Sequence, residues 1–516
     1  MKITKNHLIK QLPVTALFIF CLLAHIALGY RLKIGYVLAI FFIFLLLNKV
    51  TIFYRALLIV LGIVTLIYAP IGLTYGSPSF NSILSLFYTN EQEASEFISS
   101  IPVEHYLFST LILIFCLLSL KVRINLYKKI NIFLFSFALI TTIHHPLKTF
   151  IQGKEFTILD SGLPEIRVVK DVTTNFIRVK REHRKMQEIL SEQDTWGTVS
   201  AKPKYSTYIV VIGESVRRDF MNAYGFPIHN TPFMSIANGI LFTNYISAGP
   251  STQISLANSL AMVKNGKDIL SNNIVTLAKK AGFYTYWISN QGSIGLFDTP
   301  VASMGARADS PLFIKKGESS SGLNRNIPDT NIIPIVKKAL EDKKEKKLIV
   351  IHLMGSHSPA CIRTNYEYKV FFKSEQVSCY IQSIKNTDDL LSIITDEVQK
   401  NEKNWSLMYF ADHGVSFFEK DTKKMKLAHN DKYKQNYQVP MFITSYDDTS
   451  RQIINTQRNS MSFLTLFSEW TGIEEPTISR NCKMLSNEIC ENQDDVLNFS
   501  NKTMKYSSLP EDKIPK

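Results

Sequence analysis

Five stretches of the chain carry residue types suited to metal-assisted chemistry. Val-Ile-Gly-Glu214-Ser-Val-Arg-Arg-Asp219 sets a carboxylate just past an apolar run, with Gly213 permitting a sharp turn, although many strands end in Gly-Glu for turn reasons alone. Tyr-Phe-Ala-Asp412-His413-Gly414 repeats the pattern with a hard oxygen beside an imidazole nitrogen, a mixture that suits Zn2+. An adjacent Asp-His can also be a helix cap. Leu-Met-Gly-Ser-His357-Ser-Pro ends a third apolar run, and His429 stands in a polar segment before Pro440. A lone His is more often structural than catalytic; these two gain weight only if they meet Glu214, Asp412 and His413 at one place. Ala-Gly249-Pro-Ser251-Thr252-Gln opens a helix-like run. A hydroxyl there is either a simple N-cap or, in the same geometry, a group facing phosphate at a helix N-terminus. Beside Zn2+, a Thr252 oxygen could lose its proton and attack phosphorus.

For these residues to meet, the chain between about 205 and 475 must bring several strand ends to one edge. Its pattern alternates accordingly. Short β-rich runs are Tyr208–Ile212, Tyr284–Ile288, Leu348–Leu353, Leu407–Phe410 and Pro440–Thr444. Helix-like stretches separate them at Thr252–Val263, Asn273–Ala281, Ile332–Glu341 and Ser383–Val398. Alternation of this kind predicts a parallel α/β sheet covered by helices on both faces, with ligands gathering beyond the carboxyl ends of the strands. The sequence has no internal repeat, no Walker loop and no GxGxxG.

The 516 residues are 46% hydrophobic, with a formal net charge of +14. The basic balance allows nucleic acid or an anionic membrane surface as partner. No zinc-finger spacing, helix-turn-helix pattern or RNA-binding aromatic motif is present, which argues against nucleic acid. The long apolar runs lie almost entirely before Pro146, at about 12–29, 34–48, 52–74, 107–120 and 131–145. Five such runs leave too little polar surface for a soluble bundle, and a cleaved signal peptide explains only the first. Lys2, Lys5 and Lys10 precede the first run, Lys49 and Arg55 flank the second turn, and Lys121, Arg123, Lys128 and Lys129 fill the fourth loop. The loop from Tyr75 to Glu104 has no Lys or Arg and carries Glu91, Glu93, Glu96 and Glu104. The positive-inside rule then puts the N-terminus in the cytoplasm and everything after Pro146 outside, with Arg31 and Lys33 as an exception. The expected domains are 1–146, a transmembrane domain of five helices; 147–204, a linker; 205–506, a periplasmic catalytic α/β domain; and 507–516, a disordered tail. In the linker, Val168, Val169, Val172, Phe176, Ile177 and Val179 mix with Lys170, Arg178, Lys180, Arg181, Arg184 and Lys185. That mixture fits a helix on the membrane face or an ordinary charged surface helix. Cys361 with Cys379 and Cys482 with Cys490 are the close pairs, joined if the compartment is oxidising and otherwise four free thiols.

Glu214 in its Gly-Glu-Ser turn, the Thr252 segment, Gly-Ser-His357 and Asp412-His413-Gly together resemble the phosphoethanolamine transferases of the alkaline phosphatase and sulfatase superfamily. That family includes the mobile colistin-resistance enzymes, and the resemblance covers nearly the whole chain. It implies a multi-pass protein of the bacterial inner membrane, acting as a monomer. It implies transfer of phosphoethanolamine from phosphatidylethanolamine to lipopolysaccharide, at a core sugar or lipid A, a modification linked to polymyxin resistance. Glu214, Thr252, Asp412 and His413 match the family's Zn2+ ligands, and Thr252 its nucleophile. His357 and His429 match residues that contact the phosphoryl group or a second zinc. Asn290 matches a substrate-side position, and Thr89 and Glu93, in Phe-Tyr-Thr89-Asn-Glu-Gln-Glu93-Ala, match residues that seat the donor headgroup. A carboxylate can pair with the ethanolamine ammonium. Two departures stand out: Ala248-Gly-Pro-Ser-Thr252 lacks a Cys that many relatives have, and Val415 follows Gly414 where many have Glu. His357-Ser-Pro-Ala-Cys361 is similar to members that act on core sugars or glucans, which makes periplasmic glucans an alternative acceptor. Phosphoglycerol transfer and sulfate-ester hydrolysis are the alternative chemistries. The Thr252 neighbourhood lacks the Cys/Ser-x-Pro-x-Arg segment of sulfatases, and a non-catalytic sensor would have lost metal ligands that are all present here.

Overall fold

The apolar runs near the N-terminus are rich in Leu, Ile, Phe and Ala, and they form helices α1 (Lys5–Ala27), α2 (Ile34–Leu47), α3 (Thr51–Tyr75), α4 (Val103–Ser119) and α5 (Lys128–Ile151). The computed structural model describes residues 5–80, 82–84, 101–296, 298–317, 327–420, 422–479 and 481–515. Two of the helices, over Thr51–Thr74 and Lys128–Ile151, are long and apolar enough to cross a membrane by length and composition. The other three have shorter apolar stretches, Leu12–Ala27, Ile34–Leu47 and Val103–Ser119; α2, with 14 residues, rises only about 21 Å at 1.5 Å per residue. α1, α3 and α4 pack on one another, and α2 packs on α1 and α5. Leu17, Phe20, Ala24, Phe44, Tyr54 and Leu58 are among their shared core. Other apolar side chains, such as Ile52, Phe53, Ile67 and Phe133, face outward. Alternate turns meet at opposite ends. Gly29 lies against Gly76, and a Cβ on Gly162 would strike Tyr36. At the other end Asn48 Nδ2 donates to the Val122 carbonyl at 2.7 Å.

The chain divides into two compact units, Met1–Arg181 and Glu182–Lys516. The division falls inside one long helix, α6 (Pro164–Ser191), rather than in an irregular linker. By Trp196 the chain is already part of the second unit: its indole is buried and donates to Thr276 Oγ1 at 2.9 Å.

The second unit is built on an eight-stranded sheet. Its strands, in chain order, are β1 (Thr207–Gly213), β2 (Gly239–Phe242), β3 (Tyr284–Gly292), β4 (Ser310–Lys315), β5 (Lys347–His352), β6 (Trp405–Ala411), β7 (Met441–Ser445) and β8 (Arg451–Ile454). The spatial order is β8-β2-β7-β6-β1-β5-β3-β4. β1, β5 and β6 are buried along their whole length, as strands covered on both faces must be, and they read as continuous apolar runs for that reason. Among the covering helices are α7 (Thr252–Leu260), α8 (Ile274–Lys280), α9 (Ile333–Glu341), α10 (Glu375–Asn401) and α11 (Phe463–Thr471). The sheet is mixed rather than parallel. β7 runs antiparallel to both β6 and β2, whereas the remaining pairings are parallel. The helix expected over Thr252–Val263 stops at Leu260, and Ala261–Lys264 turns into a strand paired with Lys267–Asn273.

The expected disordered tail is instead packed. Asp512 is 5% exposed, and its carboxylate takes Arg217 Nη1 at 3.1 Å and the Phe417 N–H at 2.8 Å. Cys361–Cys379 and Cys482–Cys490 are disulfides, with Cα atoms 4.8 and 5.7 Å apart. Cys21 and Cys116 are free and buried.

Candidate metal centre and catalytic site

The neighbouring parallel strands β6, β1, β5 and β3 end on the same side and deliver the site. β6 and β1 are parallel, with Ala411 opposite Gly213, so Asp412 and Glu214 leave the sheet side by side. The Asp412 N–H donates to the Gly213 carbonyl at 3.1 Å. On the other flank Ile212 pairs with His352, and the Ser356 N–H donates to the Glu214 carbonyl at 3.0 Å. Two glycines let these loops close. A Cβ on Gly414 would lie 2.1 Å from the Gln435 carbonyl oxygen, and Gly355, at φ +47°, has the Glu214 backbone 3.0 Å from where its Cβ would be.

Glu214, Asp412 and His413 are essentially inaccessible to solvent. Glu214 Oε1 accepts from Ser215 Oγ at 2.6 Å, and Oε2 accepts from Thr252 Oγ1 at 2.9 Å and Gln291 Nε2 at 3.3 Å. Asp412 Oδ1 accepts the backbone N–H groups of Ser215 and His413, which leaves Oδ2 for the site. His413 Nδ1 sits 2.8 Å from the Gly414 carbonyl. An acceptor there requires the proton on Nδ1, so the Nε2 lone pair points into the site. That Nε2 is 3.4 Å from Glu214 Oε1 and 3.5 Å from Asp412 Oδ2. His429 closes the cluster, with its ring centroid 4.6 Å from that of His413 and 6.0 Å from that of His357. Ligand atoms of Glu214, His413 and His429 lie within 4.8 Å of one another.

The electrostatics follow from burial and crowding. Burial would raise Glu214, but the adjacent His413 outweighs it and holds the carboxylate well below its usual range. Burial, with the Glu214 charge beside it, pushes Asp412 up to about 8. Burial lowers His413, yet Asp412 and Glu214 raise it to about 9. Burial and the His413 charge press His429 down to about 3, and burial lowers His357 as well. Without a metal the cluster holds protons on Asp412 and His413; a cation between these groups would take the protons' place. Asp412 Oδ2, His413 Nε2 and His429 Nε2 are buried with no well-formed hydrogen bond among the described residues. Carboxylate oxygen, imidazole nitrogen and the Thr252 hydroxyl form a mixed donor set that fits Zn2+.

The structure therefore brings together Glu214, Thr252, Asp412, His413, His357 and His429. It does not bring Asn290 to the same point. Asn290 Nδ2 turns to Asp329 Oδ1 at 2.7 Å and to the Ile327 carbonyl, and Asp329 in turn accepts the N–H groups of Met354 and Gly355. Asn290 thus braces the loop that carries His357, while the next residue, Gln291, touches Glu214. Thr89 and Glu93 lie outside the described residues. Two residues of the site carried no expectation from the sequence: Gln291, and Ser255, whose Oγ donates to the Asp412 carbonyl at 2.6 Å. The signal for Gln291 was strand alternation, which sends neighbouring side chains to opposite faces but does not say which faces the site.

Thr252 is the first residue of α7, and Ser251 stands at the N-cap position without a side-chain capping hydrogen bond. The hydroxyl thus sits where unpaired backbone N–H groups gather. Among the described residues the neighbouring hydroxyl, Ser251, does not bond to Glu214, whose carboxylate takes Ser215, Thr252 and Gln291.

Comparison with known proteins places the chain in a family. The sulfatase family model matches residues 206–473. The chain is 38% identical over 471 residues to phosphoethanolamine transferase OpgE of Escherichia coli (strain K12), covering 90% of this chain and 88% of that protein. It is 25% identical over 416 residues to phosphoethanolamine transferase EptC of the same strain, covering 72% and 70%. Among solved structures, the C-terminal periplasmic domain of EptC from Escherichia coli in complex with Zn superposes with a TM-score of 0.55 at 20% identity, covering 62% of this chain and 98% of that domain. At that identity the likeness is one of fold.

Proposed function

The chain belongs to the sulfatase family, in its phosphoethanolamine-transferase branch, and from that premise we propose that it moves phosphoethanolamine from phosphatidylethanolamine onto a lipopolysaccharide acceptor through a covalent Thr252 intermediate. The observation that carries the reading is the Thr252 hydroxyl, 2.9 Å from Glu214 Oε2 and beside the unpaired donor atoms of Asp412, His413 and His429.

Glu214, Thr252, Asp412 and His413 would hold Zn2+, with His429 next to them. When bound, the ion lowers the pKa of the threonine hydroxyl and neutralises charge on the phosphoryl oxygens. Thr252 is aimed by its hydrogen bond to Glu214 and by its place at the head of α7. Its oxygen attacks the donor phosphorus; the P–O bond to diacylglycerol breaks, and diacylglycerol leaves with a proton. An acceptor hydroxyl or phosphate oxygen then attacks the threonine-bound phosphorus, and Thr252 regains its proton. His357 keeps Nδ1 on the Ser358 carbonyl at 2.7 Å, so Nε2 is the atom available to a phosphoryl oxygen or a leaving group. The apolar helices hold the protein in the bacterial inner membrane, and the second unit works in the periplasm, where a lipid donor is at hand and Cys361–Cys379 and Cys482–Cys490 can form.

Intact-protein mass spectrometry after incubation with phosphatidylethanolamine alone should show one added phosphoethanolamine, mapped to Thr252. Thr252→Ala should abolish both adduct and transfer, while Thr252→Ser, which keeps the hydroxyl, should retain activity. An adduct on Ser251, or normal transfer by Thr252→Ala, defeats the assignment. Mass spectrometry of envelope glycolipids and periplasmic glucans from cells with and without the protein identifies the acceptor.

A further inference from the structure

Arg31 and Lys33 break the charge rule that the other loops obey, because they sit in the short turn after α1, on the outer side of the expected topology. The structure places that turn on a cavity of about 500 Å3. Tyr30, Arg31, Lys33 and Tyr36 line one side of it. The end of α5, the Asp160–Gly162 turn and the start of α6 line the other, adding Arg167 and Lys170. The whole cavity lies within the first unit and shares no residue with the metal centre.

The two acidic groups of the wall are already engaged. Asp160 takes Lys170 and, at 3.0 Å, Thr149 Oγ1. Asp171 takes the Tyr30 hydroxyl at 2.7 Å and Arg167 Nε at 3.5 Å. Arg167 also lies over the Tyr30 ring, 5.3 Å from its centroid, and Lys33 over the Tyr36 ring at 5.2 Å. Arg31 and Lys33 remain without an ion-pair partner among the described residues. The cavity therefore presents two uncompensated cations, with tyrosines that fix its shape. Exposed apolar side chains flank the lining residues along the chain, namely Leu32, Ile34, Leu147, Phe150, Phe156 and Ile158, with exposed Lys148, Lys154 and Glu155 among them.

From this juxtaposition we propose that the cavity is a phospholipid site, with the lipid phosphate held by Arg31 and Lys33 and the acyl chains lying on the exposed apolar residues beside them. A soluble phosphate ester would need the cations but not the apolar skirt. A hydrocarbon chain would need the skirt but not the cations. A phospholipid uses both, and cations at a headgroup level are the recurring means by which proteins hold one. None of its lining residues belongs to the centre at Thr252, so the proposal concerns lipid binding alone and not the lipid's reaction.

The test uses the full-length protein in detergent, delipidated and titrated with dihexanoyl phosphatidylglycerol, which carries the lipid phosphate but no phosphoethanolamine to transfer. Parallel titrations use glycerophosphoglycerol, which has the headgroup without chains, and inorganic phosphate. Binding is counted by native mass spectrometry, with no turnover involved, so failure of the threonine mechanism would leave this result standing. Arg31→Gln/Lys33→Gln is expected to bind the lipid about 30-fold more weakly, the loss that two cations at a lipid phosphate would give. Arg31→Lys/Lys33→Arg, which keeps both charges, is expected to bind within about threefold of the wild type. Equal affinity in the wild type and the Gln variant overturns the site. Inorganic phosphate or glycerophosphoglycerol binding as tightly as the lipid overturns its assignment to a phospholipid.

Discussion

Asp512→Ala should weaken the second unit although it lies four residues from the C-terminus, in a segment that sequence reasoning set aside. Arg217 explains why. It follows Glu214 by three positions, is fully buried, and is stacked between the Phe220 and Phe417 rings at 5.3 and 4.9 Å. Its guanidinium reaches the Val415 carbonyl at 3.4 Å, which ties the Glu214 loop to the Asp412-His413 loop. Asp512 completes the tie with its carboxylate on Nη1 and its carbonyl on Nη2. Removing the carboxylate leaves the Phe417 N–H without its acceptor, at a cost of about 1–3 kcal/mol. It also breaks one buried ion pair, for which about 3–5 kcal/mol is usual, but Asp219 still compensates Arg217 with two hydrogen bonds. The surviving partner and the surviving carbonyl contact argue for the low end, about 4 kcal/mol in all. For a unit of this size that is a fall of about 6 °C in Tm. Tryptophan fluorescence of the full-length protein during heating measures it. Asp512→Asn, which keeps an oxygen for Phe417, should lose about half as much. A midpoint within about 1 °C of the wild type for Asp512→Ala would refute the idea that the tail braces the two loops.

Two further outcomes can be stated briefly. Cys361→Ser/Cys379→Ser opens a loop with a sequence separation of 18, so it should lower stability by about 3 kcal/mol, read as a lower Tm in oxidised but not in reduced protein. Asp388 is buried and accepts the Phe233 and Met234 N–H groups, and burial pushes its carboxyl up to about 6. Because the folded value lies above the unfolded one, the folded state binds more protons between about pH 4 and 6, and stability falls as pH rises through that window. Wild type should lose up to about 3 kcal/mol over it relative to Asp388→Asn; parallel stability curves for the two proteins would count against the reading.

The strand ends were legible because their signal is local: an apolar run, then Gly-Glu or Asp-His, means a carboxylate leaving a buried strand. What brings them together is also readable, since parallel strands necessarily point their carboxyl ends to one side. The direction of β7 was not, because Pro440–Thr444 looks the same whichever way it runs; only the connection before it decides, and that connection carries His429. The end of α7 was hidden for a similar reason, as Ala261-Met-Val is apolar enough for either state and its pairing with Lys267–Asn273 settles the matter. The domain boundary expected at Pro146 falls inside α5, which passes through it to Ile151. The tail gave no signal at all. Its sequence is short, charged and rich in Pro, and its order comes from one aspartate reaching a buried arginine that lies far away in the chain.

Ser215 offers a sharper test of how the site is held. It is one of the few non-glycine residues with positive φ, at +61°, a conformation that costs about 1 kcal/mol or more for a side chain with a Cβ. Every polar group it has is spent on the site. Its N–H donates to Asp412 Oδ1, its Oγ to Glu214 Oε1, and its carbonyl accepts the Tyr380 hydroxyl at 2.8 Å. Glycine would adopt the same backbone without strain and would keep the first and third of these bonds, losing only the one that orients Glu214. Ser215→Gly therefore separates fold from function: relief of strain and loss of a buried hydrogen bond oppose each other, so Tm should move by no more than about 2 °C. The Glu214 carboxylate, freed from Oγ, should bind zinc about tenfold more weakly, since a hydrogen bond to a charged group contributes about 1.5–3 kcal/mol and Thr252 and Gln291 still hold the other oxygen. Competition against a zinc chelator measures that affinity directly. Unchanged zinc affinity in a variant that melts with the wild type would mean that the left-handed turn serves the backbone alone, and that Glu214 is aimed by Thr252 and Gln291 without help from Ser215.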